Sequence, residues 1–119
     1  MIVGIGTDLV EMDRIMKACE KQAFLHKLFT KTEQELIQAD GKKAAGNFAV
    51  KEAVSKMLGT GFRKVTPAEI EVLRDELGKP YVNLYGAAKQ LAEQLMIQTI
   101  HVTITNTKEY AAAFVIGER

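Results

Sequence analysis

The sequence predicts an α+β fold in which a largely antiparallel sheet packs against one long helix. Three observations carry this. Strand-like runs open and close the chain, helical spacing of apolar residues fills the stretch from Glu11 to Leu58, and a further helix separates the later strands. At 119 residues with 47% hydrophobic content the chain can bury one modest core, so residues 1–119 read as a single domain.

Met1 to Val10 is apolar with two glycines and reads as a strand. From Glu11 the period changes, and Met12, Ile15, Met16 and Cys19 recur at helical spacing. A short piece follows at Phe24 to Phe29. Thr32-Glu33-Gln34-Glu35 has the spacing of a capping box opening the next helix, which Asp40-Gly41 stops. Lys42 to Leu58 is the longest helix. Its Val50, Ala53, Val54, Met57 and Leu58 form an apolar arc, with Phe48, Glu52, Ser55 and Gly59 roughly opposite.

In the second half Ile70 and Val72 alternate with acidic residues, Gly78-Lys79-Pro80 connects, and Tyr81 to Leu84 returns. A helix from about Tyr85 to Met96 buries Ala88, Leu91, Ala92 and Leu95. Ile100, Val102 and Ile104 then alternate with Thr99, His101, Thr103 and Thr105. After a turn at Asn106-Thr107-Lys108, a continuous apolar strand runs from Tyr110 to Ile116.

A formal net charge of +1 argues against a general nucleic-acid or membrane binder, since those partners demand a large basic excess. The single Cys19 cannot form an internal disulfide, and no export signal or long apolar span is visible, so a cytoplasmic setting is expected. His26 and His101 stand alone, which disfavours zinc.

Phe48-Ala49-Val50-Lys51-Glu52-Ala53-Val54-Ser55-Lys56, ending in Gly59-Thr60-Gly61, concentrates the chemistry. Magnesium takes one or two carboxylates together with waters and phosphate oxygens, so Asp8 and Glu52 meet its minimum if the fold joins them. The plainer alternative makes Asp8 the cap of the first helix and pairs Glu52 with Lys56 one turn on. Lys56 suits a phosphate, and Gly59 suits either a close-approaching ligand or a helix end. Neither this segment nor Gly4-Ile5-Gly6 completes a P-loop or dinucleotide fingerprint. Arg14, Lys17 and Lys21 form a basic stripe opposite the apolar side of the first helix, suited to an acidic partner.

Asp8 after Ile2-Val3-Gly4-Ile5-Gly6-Thr7, the segment from Phe48 to Gly61, Asp75-Glu76-Leu77-Gly78-Lys79-Pro80, His101-Val102-Thr103-Ile104 and Lys108-Glu109-Tyr110-Ala111-Ala112-Ala113 together resemble the holo-acyl-carrier-protein synthases. These are the small bacterial class of 4'-phosphopantetheinyl transferases, and the likeness covers essentially the whole chain. The resemblance implies that fold and a Mg²⁺-dependent transfer of 4'-phosphopantetheine from coenzyme A to a serine of apo acyl carrier protein. Adenosine 3',5'-bisphosphate leaves, and the reaction serves fatty acid biosynthesis.

It further implies Asp8 and Glu52 as magnesium ligands, with Lys56 beside the transferring phosphate. Coenzyme A contacts are implied at Asn47, Lys51, Ser55, Gly59, Gly61, Thr105 and Asn106. The acceptor of the serine proton is left open among a magnesium-bound water, Glu52 and an acid on the carrier. The expected assembly is a homotrimer with coenzyme A between subunits, and the basic stripe would receive the acidic carrier. Many members have an arginine where Asn47 stands, and a serine-histidine pair at Thr105 and Asn106. The nucleotide end of the pocket is therefore expected to differ, with Lys42, Lys43, Arg63, Lys64 or Lys108 as substitute cations. Two rival functions are another magnesium-dependent phosphoryl-transfer enzyme, such as a nuclease or pyrophosphatase, and a trimeric binding module without turnover. The absent basic groove disfavours the nuclease, and a metal site aimed at a scissile phosphate disfavours the module.

Overall fold

The computed structural model describes residues 1–119. Strand β1 (Ile2–Glu11) leads into helices α1 (Met12–Ala18), α2 (Gln22–Leu28), α3 (Lys31–Ala39) and α4 (Lys43–Met57). Strands β2 (Ile70–Arg74) and β3 (Pro80–Leu84) follow, then α5 (Gly86–Gln94), β4 (Thr99–Asn106) and β5 (Tyr110–Glu118). Every pairing is antiparallel. One sheet has the order β1-β5-β4, and the other is the β2-β3 hairpin. The α+β expectation holds, with the sheet divided in two.

The uninterrupted apolar character of β5 has a direct cause. It is the central strand, flanked on both edges, with Ala111, Ala113 and Val115 facing inward. Helix α4 lies across that inner face. Val50, Ala53, Val54, Met57 and Leu58 join Ala113, Val115, Ile70 and Val72 in the main core. A second cluster gathers Met12, Ile15, Leu25, Phe29 and Ile37 from α1 to α3 against Ala44 and Ala45. Helix α4 is thus covered on several sides, and Ser55, expected on its polar face, is only 2% exposed.

The capping box falls two residues earlier than the sequence pattern suggested. Thr30 caps α3: its hydroxyl accepts from Glu33 N, and Glu33 Oε1 accepts from Thr30 N. Thr30-x-x-Glu33 and Thr32-x-x-Glu35 have the same spacing. Glu33 is the acid that the core requires, and this decides between them. No helix is long and apolar enough to cross a membrane.

Candidate active site

The site begins with two glycines. A Cβ on Gly6 would lie 1.8 Å from the carbonyl oxygen of Ala53, and one on Gly4 would lie 2.3 Å from that of Met57. Only bare backbone at both positions lets α4 rest this closely on β1. Asp8 is the next inward-facing residue, paired across the sheet with Ala113, so the glycine approach brings it to the last turns of α4.

There Lys56 Nζ donates to Asp8 Oδ1 at 3.2 Å and to the Thr7 carbonyl at 3.0 Å. The Asp8 side chain is 13% exposed and that of Lys56 is 53% exposed. Glu52, one turn earlier, lines the same cavity of about 570 Å³ as Asp8, with Arg14, Phe48 and Tyr110 on its walls. Burial pushes the Glu52 carboxyl up, and the charge of Asp8 pushes it further, against the opposing pull of Lys56 and Arg14. The alternative roles fail on geometry. Glu11, not Asp8, is the N-cap of α1 and makes no side-chain capping bond. Lys56 pairs with Asp8 instead of Glu52.

Asp8 and Glu52 form a donor set of hard oxygens, and no third His, Cys, Asp or Glu joins them. Two carboxylates beside open space suit a magnesium ion that keeps waters and takes its other ligands from phosphate.

Past Lys56 the helix closes in a Schellman turn. Gly59 N donates to Lys56 O at 2.9 Å and Thr60 N to Ser55 O at 3.3 Å, with Gly59 at φ +86°. Gly61 is also left-handed, at φ +58°, and nothing lies within 4 Å of where a Cβ would stand on either glycine. The helix-ending role of Gly59 is therefore real, and open space beside both glycines leaves room for a ligand.

Three residues expected at the cofactor lie inside the protein, and this corrects the sequence reading. Lys51 is fully buried. It donates to Glu33 Oε1 at 2.7 Å, to Pro67 O at 2.8 Å and to Ile70 O. All three of its protons are engaged, leaving none for a ligand. Asn47 is also fully buried and donates to Glu33 Oε2 and Val72 O, which removes it from any nucleotide pocket. The Ser55 hydroxyl donates to Glu52 O at 2.6 Å. Burial pushes the Glu33 carboxyl up and the Lys51 ammonium down, each opposed by the charge of the other.

Strand alternation separates Thr105 from Asn106. Thr105 stands opposite Ala112 and Asn106 opposite Ala111, on the two faces of the sheet. Asn106 borders a polar cavity of about 290 Å³ whose wall includes Lys42, Lys43 and Arg74. Arg74 was missed in the sequence, where it reads as the end of an alternating strand. Its only hydrogen bond is a 3.4 Å donation to Leu73 O. Elsewhere, Arg14, Lys17 and Lys21 surround Ala18 and Phe24 in a cavity of about 320 Å³.

Residues 4–115 match the 4'-phosphopantetheinyl transferase superfamily. The chain is 63% identical over 118 residues to the holo-[acyl-carrier-protein] synthase of Lachnoclostridium phytofermentans, covering 99% of this chain and 97% of that one. Its fold is similar to the holo-[acyl-carrier-protein] synthase of Neisseria meningitidis, with a TM-score of 0.90, 33% identity and complete coverage of both chains. It is also similar to the Helicobacter pylori enzyme solved in complex with coenzyme A, with a TM-score of 0.83, 29% identity, and 96% and 99% coverage.

Proposed function

We propose, from the premise that this chain belongs to the 4'-phosphopantetheinyl transferase superfamily as a holo-acyl-carrier-protein synthase, that Asp8 and Glu52 hold a magnesium ion on which its transfer reaction depends. The observation that carries this reading is the Asp8, Glu52 and Lys56 cluster, drawn together from strand and helix by the glycine approach. The coenzyme A complex of the Helicobacter pylori relative supports coenzyme A as the donor. A serine oxygen of the carrier attacks the phosphorus that bears pantetheine, and the P–O bond to the nucleotide half breaks. Adenosine 3',5'-bisphosphate leaves, and the serine loses its proton. Bound Mg²⁺ would supply charge neutralisation at the pyrophosphate. Lys56 offsets the negative charge that grows on the leaving oxygen, and its half-exposed side chain can reach outward to do so.

The wider assignments follow the same reading. Lys42, Lys43 and Arg74 offer cations to the nucleotide phosphates, and Asn106 adds hydrogen bonding. Gly59 and Gly61 give the ligand close access to backbone. Arg14, Lys17 and Lys21 receive an acidic apo acyl carrier protein beside the apolar notch at Phe24. A homotrimer with shared sites accounts for the outer sheet face, where Ile5 is 59%, Leu9 62% and Phe114 42% exposed. Thr105 stands on that face and would meet a neighbouring copy. The chain acts as a single domain in the cytoplasm, and its product feeds fatty acid biosynthesis.

The test is the intact mass of an apo acyl carrier protein incubated with this protein, coenzyme A and Mg²⁺. A phosphopantetheine-sized gain with wild type, lost with Asp8→Ala, Glu52→Ala or chelator, is the expected result. Full transfer by both variants would remove the two carboxylates from the mechanism.

A further inference from the structure

In the free protein Lys56 is the sole side-chain hydrogen-bond donor to the Asp8 carboxylate, while the Glu52 carboxylate has no hydrogen-bond or ion-pair partner. The two acids therefore share one hydrogen-bonding ammonium, with Arg14 on the cavity wall adding positive charge but no ion pair to either. Lys56 is also poorly anchored. Its other bond is to a single backbone carbonyl, and more than half of its side chain is in solvent. A divalent cation reaching Asp8 meets the Nζ already on Oδ1 of that carboxylate, and two cations on one carboxylate repel at such distances.

We infer that Lys56 stands in for the cation at Asp8 and must leave it when the cation binds, so that cation and coenzyme A bind with positive coupling. This rests on the reading of Asp8 and Glu52 as magnesium ligands. Charge balance sets the direction. Two carboxylates and a dication sum to zero, and retaining Lys56 leaves an excess of positive charge that the anionic pyrophosphate more than offsets. The phosphate gives Lys56 a new partner and frees Asp8. The dication alone must displace Lys56 into water with no such compensation. Coupling of this kind is reciprocal, so the cation tightens coenzyme A by the same factor.

The experiment measures Mn²⁺ affinity of the full chain by electron paramagnetic resonance, with and without coenzyme A, after subtracting Mn²⁺ held by coenzyme A alone. Wild type, Lys56→Met, Lys56→Gln and Asp8→Ala are compared. Without coenzyme A, Lys56→Met and Lys56→Gln should bind Mn²⁺ about tenfold more tightly than wild type. Coenzyme A should tighten Mn²⁺ by a smaller factor in both variants than in wild type. Equal or weaker Mn²⁺ binding by the two Lys56 variants, with Asp8→Ala still abolishing binding, would overturn the stand-in role and leave the metal site intact. Absence of Asp8-dependent Mn²⁺ binding in every protein, with or without coenzyme A, would overturn both.

Discussion

Lys51 Nζ lies 2.7 Å from Glu33 Oε1 with both side chains fully excluded from solvent, which ties α4 to α3 at the residue adjoining Glu52. Removing one partner leaves a buried charge alone. Lys51→Met or Glu33→Gln should therefore cost about 3–5 kcal/mol in urea unfolding, whereas the double variant should recover part of that loss. A single-variant loss under about 1 kcal/mol would mean that water replaces the partner.

Gly6→Ala tests the approach of β1 to α4. Its Cβ would fall 1.8 Å from Ala53 O, so strand and helix must separate and Asp8 moves away from Glu52 and Lys56. Phosphopantetheine transfer should drop at least about a hundredfold, since displacement near 1 Å at a reacting site has that scale. Retained wild-type transfer would show that α4 is not held where the close contact puts it.

Glu71 gives the fold an acid-sensitive component. Burial pushes its carboxyl up, but hydrogen bonds from Thr30 Oγ1, Asn83 Nδ2 and Tyr85 OH, with the charge of Lys51, outweigh burial and hold it below the usual carboxylate range. A depressed folded value stabilises above the unfolded value of 4.5 and ceases to as pH falls through the folded one. Glu71→Gln should lower stability at pH 7 by about 1–3 kcal/mol and lessen its fall below pH 4.5. Parallel stability curves for variant and wild type across that range would remove Glu71 as the source.

Arg14→Glu with Lys21→Glu should weaken carrier affinity about tenfold or more at low salt, with the loss shrinking as salt rises. Surface plasmon resonance against an immobilised apo carrier makes the measurement, and unchanged affinity at low salt would place docking elsewhere.

The order of helices and strands was legible because each has a clean apolar period and the turns carry Gly, Pro or Asn. Glu52 and Lys56 were legible as neighbours one helical turn apart. Their meeting with Asp8 was implied by the family resemblance but not by spacing or periodicity, since it depends on two glycines whose purpose shows only when α4 lies on β1. Lys51 and Lys56 look alike in the sequence, yet one is a core ion and the other faces the cavity. The difference lies in Glu33, which is 18 residues before Lys51 and reads locally as part of a capping pattern. Arg74 escaped notice because a strand-end arginine carries no periodic signal, and its role depends on the residues packed around it.

Strand β5 supplies none of Asp8, Glu52 and Lys56, only Tyr110 on the cavity wall, yet β1 has no other strand to pair with. During synthesis, the segment bearing Asp8 must wait without a sheet partner until residues 110–118 emerge from the ribosome. The assembled cluster is therefore among the last features this protein acquires as it is made. A nascent or C-terminally clipped chain, although it carries Asp8, Glu52 and Lys56, would lack the assembled site.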